Sequence, residues 1–227
     1  DRTLSIAIQI ARALARAHDL EVIHRDLKPE NIFLAEGTDA FDRVKLLDFG
    51  IARSMQDTRL TGAGEVFGTP QYMAPERITS IDAGPSADLY ALGVILYEML
   101  CGTLPFDAAD VTTYFIKHLK EMPPSPRKRD PSIPEQVDKL IMELLAKDAK
   151  DRPVDAHRVH GDLLGIAGAI GVRIPGEVFN DEASSRGPAK TLPPAAIDQW
   201  VKRTAVFERM LARAYLGARP SEVEHLF

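Results

Sequence analysis

The sequence predicts a mainly helical fold with a few short strands that form a hairpin. Three observations carry this prediction. Apolar residues recur at helical spacing over residues 2–18, and an almost uninterrupted apolar segment spans residues 86–101. Two short apolar runs, at 32–34 and 44–47, are separated by residues typical of turns. Length and periodicity distinguish the helices from the strands.

The first helix is expected over residues 2–18, and its apolar positions fall on two faces. A helix that is apolar around so much of its circumference is usually central in the fold. Residues 22–23 would then form a short strand leading to His24. The apolar positions are Leu4, Ile8, Ala11, Ala15 and His18 on one face, and Ile6, Ile10, Ala13 and Ala17 on the other.

The segment 86–101 predicts the most hydrophobic helix, capped by Ser86 and ended by Gly102. Further helices are expected at 108–121, 134–147 and about 154–166, with a Pro-rich loop at 123–134 between two of them. The basic cluster 127–129 in that loop could be a docking patch, but beside prolines it is more typical of solvated charges.

Composition limits the possible partners and compartment. The chain has 227 residues and a formal net charge of −5, which does not favour nucleic acid or an anionic membrane as the main partner. The single cysteine, Cys101, cannot form an internal disulfide, so a reducing, cytoplasmic setting is expected. No apolar run is long enough to span a bilayer. The chain opens on Asp1, which suggests a piece of a longer protein.

The strongest chemical signal is the segment His-Arg-Asp-Leu-Lys-Pro-Glu-Asn at residues 24–31. A second apolar run ends in Asp-Phe-Gly at residues 48–50. Phosphoryl transfer needs a carboxylate to accept the proton of the attacking hydroxyl, a cation on the moving phosphate, and oxygen ligands for Mg²⁺. Two short strands with polar ends would bring four such groups to one point: Asp26, Lys28, Asn31 and Asp48.

These motifs resemble the catalytic loop and the D-F-G motif of eukaryotic-type (Hanks-type) protein kinases, in the family's order. Ala74-Pro75-Glu76 follows at the position of another family motif, and Lys28 resembles the Ser/Thr-specific branch. The chain is therefore similar to the large C-terminal lobe of a bacterial-like Ser/Thr protein kinase. The resemblance covers residues 1–168, with a linker expected at 169–194 and a helical tail, or the start of a further domain, at 195–227.

The resemblance implies a role for each site residue, with ATP as donor and Mg²⁺ (or Mn²⁺) as the metal. Asp26 would orient the substrate hydroxyl and accept its proton, and Lys28 would neutralise charge on the γ-phosphate. Asn31 and Asp48 would hold the metal. Thr69 would bond Asp26 and Lys28 and shape the peptide-docking surface. Phe33 would form the floor under adenine, and a purely structural core role for it is nearly as well supported.

Residues 51–73 resemble an activation segment. Thr61 is the expected regulatory phosphosite, with Thr58 as second choice and a plain loop hydroxyl as the alternative. Arg25 and Arg53 would receive the phosphate, because guanidinium pairs bidentately with it.

Other residues of the motifs have expected structural roles. The resemblance implies that His24 packs under Phe49, which is followed by Gly50, and that Asp88 bonds the backbone of the catalytic loop. It also implies a buried ion pair between Glu76 and Arg152. Glu30 resembles an acidic residue that favours basic side chains upstream of the phosphorylated residue.

The leading hypothesis is a Ser/Thr protein kinase whose acceptor is a protein hydroxyl. No Gly-rich loop and no ATP-pairing lysine lie within the sequence, so the small lobe would come from chain upstream, and this segment alone should bind ATP weakly and transfer phosphate negligibly. The main alternative is a non-catalytic pseudokinase or scaffold that binds protein partners. A small-molecule kinase of similar fold is a weaker alternative.

Overall fold

The computed structural model describes residues 2–36, 42–49, 69–80, 83–172 and 174. In this part of the chain the fold is mostly helical, with one two-stranded antiparallel sheet, which confirms the predicted balance of helix and strand. Short 3-10 turns lie at Pro29–Asn31, Pro70–Tyr72 and Ala149–Asp151. In chain order, the elements are α1 (Arg2–Asp19), β1 (Ile32–Glu36), β2 (Asp42–Leu46), α2 (Pro75–Thr79), α3 (Ser86–Cys101), α4 (Val111–Lys120), α5 (Pro126–Arg129), α6 (Glu135–Leu144) and α7 (Ala156–Ala169).

The hydrophobic core lies between α1, α3, α6 and α7. Helix α1 packs mainly against α7 and also contacts α3, and it buries apolar residues on both of its predicted faces. Helix α3 is buried along almost its whole length, as expected for a segment that is apolar on every side. Polar residues that precede two outer helices cap them, since Asp110 accepts from Thr113 N in α4 and Asp155 accepts from Arg158 N in α7.

Two glycines explain how α3 fits the core. At Gly93 an added Cβ would lie 2.7 Å from Leu144 Cβ, so the missing side chain lets α3 approach α6 closely. Gly102 ends α3 with a φ of 70°, a left-handed conformation that glycine adopts without steric cost.

The structure corrects three details of the sequence prediction. Ser86 does not cap α3; it is the first helical residue, and Pro85 holds the cap position. Residues 22–23 form no strand, because Val22 N bonds back to Ala17 O at the end of α1 and His24 N bonds a side chain. The expected loop at 123–134 contains α5, whose first residue is the helix-starting Pro126.

The cluster 127–129 lies largely at the surface, as expected for solvated charges, and two of its residues also contact neighbouring elements. Arg129 donates to Tyr97 Oη (2.8 Å) and to Thr103 Oγ1 (3.0 Å), and Arg127 lies 3.9 Å from Glu135. The Arg129 bonds tie α5 to α3 and to the residues that follow it, and the Arg127 contact is made to the start of α6.

Strands β1 and β2 pair antiparallel, with Ile32 opposite Leu46 and Glu36 opposite Asp42. The ladder continues past the strands, because Leu47 N donates to Asn31 O at 2.8 Å. The open end of the hairpin therefore carries residue 31 on one strand and residues 47–48 on the other.

Several expected features lie outside the described residues: Gly50, Arg53, Thr58 and Thr61, the linker at 169–194 beyond residue 174, and the tail at 195–227. Among the described helices, none has both the length and the apolar character needed to cross a bilayer.

Candidate active site

Asp26, Lys28 and Thr69 form one hydrogen-bonded cluster. Lys28 Nζ lies 3.1 Å from Asp26 Oδ2 and donates to Thr69 Oγ1 at 3.2 Å. Both charged side chains keep slightly under a fifth of their surface exposed. The carboxylate and the ammonium are thus held in place and remain within reach of a ligand, and the lysine links the catalytic loop to the start of the Pro70–Tyr72 turn.

Asn31 joins this cluster from the Pro29–Asn31 turn. Its Nδ2 donates to Asp26 O at 2.7 Å and lies 3.4 Å from Asp26 Oδ2. The residue is buried, and the Pro at the start of the turn fixes the backbone that precedes it. Because the amide nitrogen faces Asp26, the amide oxygen is the group left to bind a cation.

Asp48 lies at the open end of the hairpin, directly after the Leu47–Asn31 hydrogen bond. It is exposed, and its φ of 52° puts the backbone in the left-handed region. Aspartate tolerates this region better than most residues, since its short side chain can bond locally. The hairpin thus brings Asn31 and Asp48, which are 17 positions apart in the sequence, to the same end of one sheet.

His24 is buried and packs against the ring of Phe49, with ring centroids 4.7 Å apart. Its Nε2 lies 3.0 Å from Leu47 O, and because a carbonyl can only accept, this nitrogen donates. Burial lowers the pKa of the imidazole, which favours its neutral form. These contacts hold the start of the catalytic loop against the hairpin.

The carboxylate of Asp88 anchors the same loop from α3. Asp88 Oδ2 accepts from His24 N (2.8 Å), and Oδ1 accepts from Arg25 N (2.9 Å). The φ of Arg25 is 65°, so these bonds fix a left-handed turn immediately before Asp26. His18 Nε2, 2.9 Å from Asp88 Oδ2, completes the arrangement. The sequence suggested only an apolar-face position for His18, because periodicity carries no information about a partner 70 residues away.

Arg25 Nε is buried and has no hydrogen-bond partner among the described residues. Arg53, its expected companion, lies outside them. A buried guanidinium nitrogen without a hydrogen-bond partner is costly.

Glu76 and Arg152 form an ion pair across the domain. Arg152 Nη1 lies 2.6 Å from Glu76 Oε1, and Nη2 lies 2.8 Å from Oε2. The same guanidinium donates to the carbonyls of Ala146, Lys147 and Ser86. The pair therefore ties the segment after Thr69 to the turn before α7.

A hydrogen bond between the Pro70–Tyr72 turn and the carboxylate of Glu98 was not predicted from the sequence. Tyr72 Oη donates to Glu98 Oε2 at 2.6 Å. Burial raises the pKa of Tyr72 far above its usual value, and the charges of Glu98 and Glu30 raise it further. Glu30 is exposed. No sequence motif marks Glu98, whose only visible property is a charge near the end of an apolar helix.

Phe33 is 42% exposed on β1. Its side chain therefore keeps a large part of its surface open within the described part of the fold. Within the described residues, no group of three or more His, Cys, Asp or Glu could hold a metal ion alone. A donor set of one carboxylate and one amide oxygen suits Mg²⁺, which commonly completes its shell with substrate phosphates and water.

Comparison with known proteins identifies the family to which this chain belongs. The protein kinase domain family matches residues 1–162, and the chain belongs to that family. It is 42% identical over 171 residues to the serine/threonine-protein kinase pkn3 of Myxococcus xanthus, covering 73% of this chain and 31% of the relative. It is 36% identical over 160 residues to the serine/threonine-protein kinase PrkC of Bacillus subtilis, covering 70% and 24%.

A third relative, the probable serine/threonine-protein kinase PknB of Lactococcus lactis, is 35% identical over 164 residues, covering 72% of this chain and 25% of the relative. The resemblance to bacterial Hanks-type Ser/Thr kinases is thus confirmed. The chain spans 24% to 31% of the length of these relatives.

Proposed function

We propose that the protein containing this chain transfers the γ-phosphate of Mg-ATP to Ser or Thr hydroxyls of proteins. The observation that carries the proposal is the hydrogen-bonded cluster of Asp26, Lys28, Asn31 and Thr69 at the hairpin end that bears Asp48. Carboxylate, ammonium and amide groups in this arrangement match what phosphoryl transfer requires.

Asp26 is the group that accepts the proton of the substrate hydroxyl. Its carboxylate is positioned by Lys28 and Asn31 and keeps part of its surface open to a second molecule. Lys28 supplies positive charge beside that carboxylate, where it stabilises negative charge that builds up on the phosphoryl group. Thr69, fixed by Lys28, forms the border between this cluster and the peptide-docking surface.

Asn31 and Asp48 are the residues that would hold Mg²⁺, through hard oxygen ligands. The metal, when bound with ATP, neutralises charge on the phosphate oxygens. Phe33, exposed on β1, forms the floor under the adenine ring.

Arg25 and Arg53 together bind a phosphate that regulates the activity. The buried Nε of Arg25 is suited to a phosphate on the activation segment, with Thr61 as the first candidate and Thr58 as the second. Phosphate there would stabilise the turn at Arg25 and, through it, the position of Asp26.

The remaining parts of the proposal concern the whole protein. It has a small lobe upstream of these residues that completes the ATP site, it works in the cytoplasm, and residues 1–168 are the large lobe. The large lobe alone therefore binds ATP weakly and transfers negligible phosphate.

The test uses the full-length protein, radiolabelled ATP and a generic Ser/Thr protein substrate. Asp26→Asn should lower the transfer rate by about 10²–10⁴-fold, the usual contribution of a general base. Asp107→Asn, which changes an exposed carboxylate after α3, is the matched control and should leave the rate unchanged. Equal labelling by wild type and Asp26→Asn would remove Asp26 from its role. No labelling by the wild type, with binding of protein partners retained, would support the scaffold alternative.

A further inference from the structure

The outer edge of β2 is hydrogen-bonded by a side chain of α1. Gln9 Nε2 donates to Asp42 O at 2.9 Å, and Gln9 Oε1 accepts from Val44 N at 3.1 Å. One carboxamide thus binds two backbone groups of the same strand, two residues apart.

The register of the hairpin explains why these groups are available. In an antiparallel pair, alternate residues direct both backbone groups away from the partner strand. Leu47 N bonds Asn31 O, so residues 43, 45 and 47 face β1, and residues 42, 44 and 46 face outward. Gln9 binds the outward groups of residues 42 and 44 in the way that a residue of a third strand would.

The Gln9 bonds add to the apolar packing and the His24 contacts that hold the hairpin against the helices. A two-stranded hairpin is marginally stable by itself in water. Leu34, Val44 and Leu46 pack against the core while only partly buried. The other polar tie from α1 is Arg2, whose Nη2 lies 3.0 Å from Asp42 Oδ1 at the start of β2. Gln9 binds further along the strand, toward its end at Asp48.

We propose that Gln9 is a positioning residue that sets the place of Asp48 relative to Asp26. The inference rests on the proposed function. Helix α1 leads directly into the catalytic loop, and Val22 N bonds back to its last turn. Strand β2 leads directly to Asp48. The carboxamide of Gln9 joins α1 to β2 between these two ends. A shift of β2 along or away from α1 would therefore move Asp48 with respect to Asp26 and would lower the affinity for the nucleotide.

The test compares Gln9→Met with Gln136→Met in the full-length protein. Methionine is similar in length to glutamine and cannot make the two backbone bonds. Gln136 is exposed on α6, so the same change there is the matched control. Loss of hydrogen bonds worth about 1 kcal/mol should raise the KM for Mg-ATP by roughly 5-fold in Gln9→Met, while the KM for the peptide stays within about twofold of wild type.

Two measurements are independent of turnover. Calorimetry should show Mg-ADP binding weakened by the same factor as the KM for ATP, and hydrogen exchange should show faster exchange at the amide of Val44. If Gln9→Met does not fold, Gln9→Glu takes its place: it keeps an acceptor for Val44 N, sets an oxygen against Asp42 O, and should bind Mg-ADP more weakly than the wild type. Unchanged nucleotide affinity in a folded Gln9 variant whose Val44 amide exchanges faster would overturn the proposal. A wild-type protein that binds Mg-ADP but transfers no phosphate would instead overturn the proposed function and leave the Gln9 comparison valid.

Discussion

Both terminal nitrogens of Arg152 bind the carboxylate of Glu76, at 2.6 and 2.8 Å. The arginine side chain is fully buried, whereas that of Glu76 is 23% exposed. Removing the glutamate therefore leaves the buried guanidinium bonded to backbone carbonyls, without the carboxylate that balances its charge.

Glu76→Ala should lower the free energy of unfolding by about 3 kcal/mol or more, because it leaves a buried charge without its partner. Denaturant titration measures this. Glu121→Ala is the control, since Glu121 pairs with Lys117 at the surface and is 51% exposed. That substitution should cost about 0–1 kcal/mol. Equal costs for the two variants would contradict the importance assigned to the buried pair.

The acidic side chains near the Pro70–Tyr72 turn predict a preference for basic substrates. Glu30 is exposed, and Glu98 is bonded to Tyr72. We expect Glu30→Gln to raise the KM for a peptide with arginine upstream of the phosphorylated residue by roughly 5-fold, the effect of a partly exposed ion pair of about 1 kcal/mol. The KM for an uncharged peptide should not change. A similar change for both peptides would show that Glu30 does not read substrate charge.

His118 predicts an acid-dependent loss of stability. The residue is fully buried, with Tyr90 Oη 2.8 Å from its Nδ1; its ring stacks with that of Tyr114 and meets that of Phe106 edge to face. Burial, and then the charge of Lys147, lower its pKa to about 4.

Because the unfolded chain takes up this proton near pH 6.5 and the folded chain does not, stability is fully present above pH 6.5. It falls as the pH is lowered toward 4, by about 3 kcal/mol. His118→Gln should flatten the dependence of unfolding free energy on pH between 6.5 and 4. The residual slope would come from groups such as His24, whose pKa burial also lowers.

His157→Gln is the control for this experiment. His157 is exposed and bonds Asp19 at 2.8 Å, which raises the pKa of its imidazole. Its contribution to stability is therefore present at low pH and lost as the pH rises, the opposite of the His118 contribution. This variant should not flatten the slope. A wild-type stability that is constant from pH 6.5 to 4 would contradict the assignment to His118.

Two glycine substitutions test the packing of α3. Gly93→Ala places a Cβ 2.7 Å from Leu144 Cβ and should destabilise the fold by about 1–3 kcal/mol. Gly165→Ala in α7 meets nothing within 4 Å and should stabilise by about 0.5–1 kcal/mol, because alanine favours helix. Thermal unfolding of the two variants checks both signs. Stabilisation by both would mean that α3 and α6 lie further apart than described.

Local patterns in the sequence were sufficient for the helices and for much of the site. The periodicity of residues 2–18 and the apolar run 86–101 predict α1 and α3 to within about one residue, because each segment contains its own burial pattern. Asp26, Lys28 and Asn31 were found together because they lie within one short loop.

What the sequence could not predict depends on contacts between distant segments. The bond from Gln9 to the edge of β2 needs the register of the hairpin, and the pairing of Tyr72 with Glu98 needs the position of α3. The strand expected at residues 22–23 was wrong for the same reason. Its apolar residues fit a strand, but the backbone there bonds α1 and Asp88, and no neighbouring strand is present to pair with it in the described part of the fold.

The left-handed backbone at Asp48 determines how this carboxylate should be deleted. Most side chains pay about 1–2 kcal/mol to adopt such a conformation, whereas asparagine, like aspartate, accepts it readily. An alanine at position 48 would therefore mix the loss of the carboxylate with a distorted end of the hairpin. Asparagine removes the charge and keeps the turn, so this substitution measures the contribution of the negative charge without distorting the backbone.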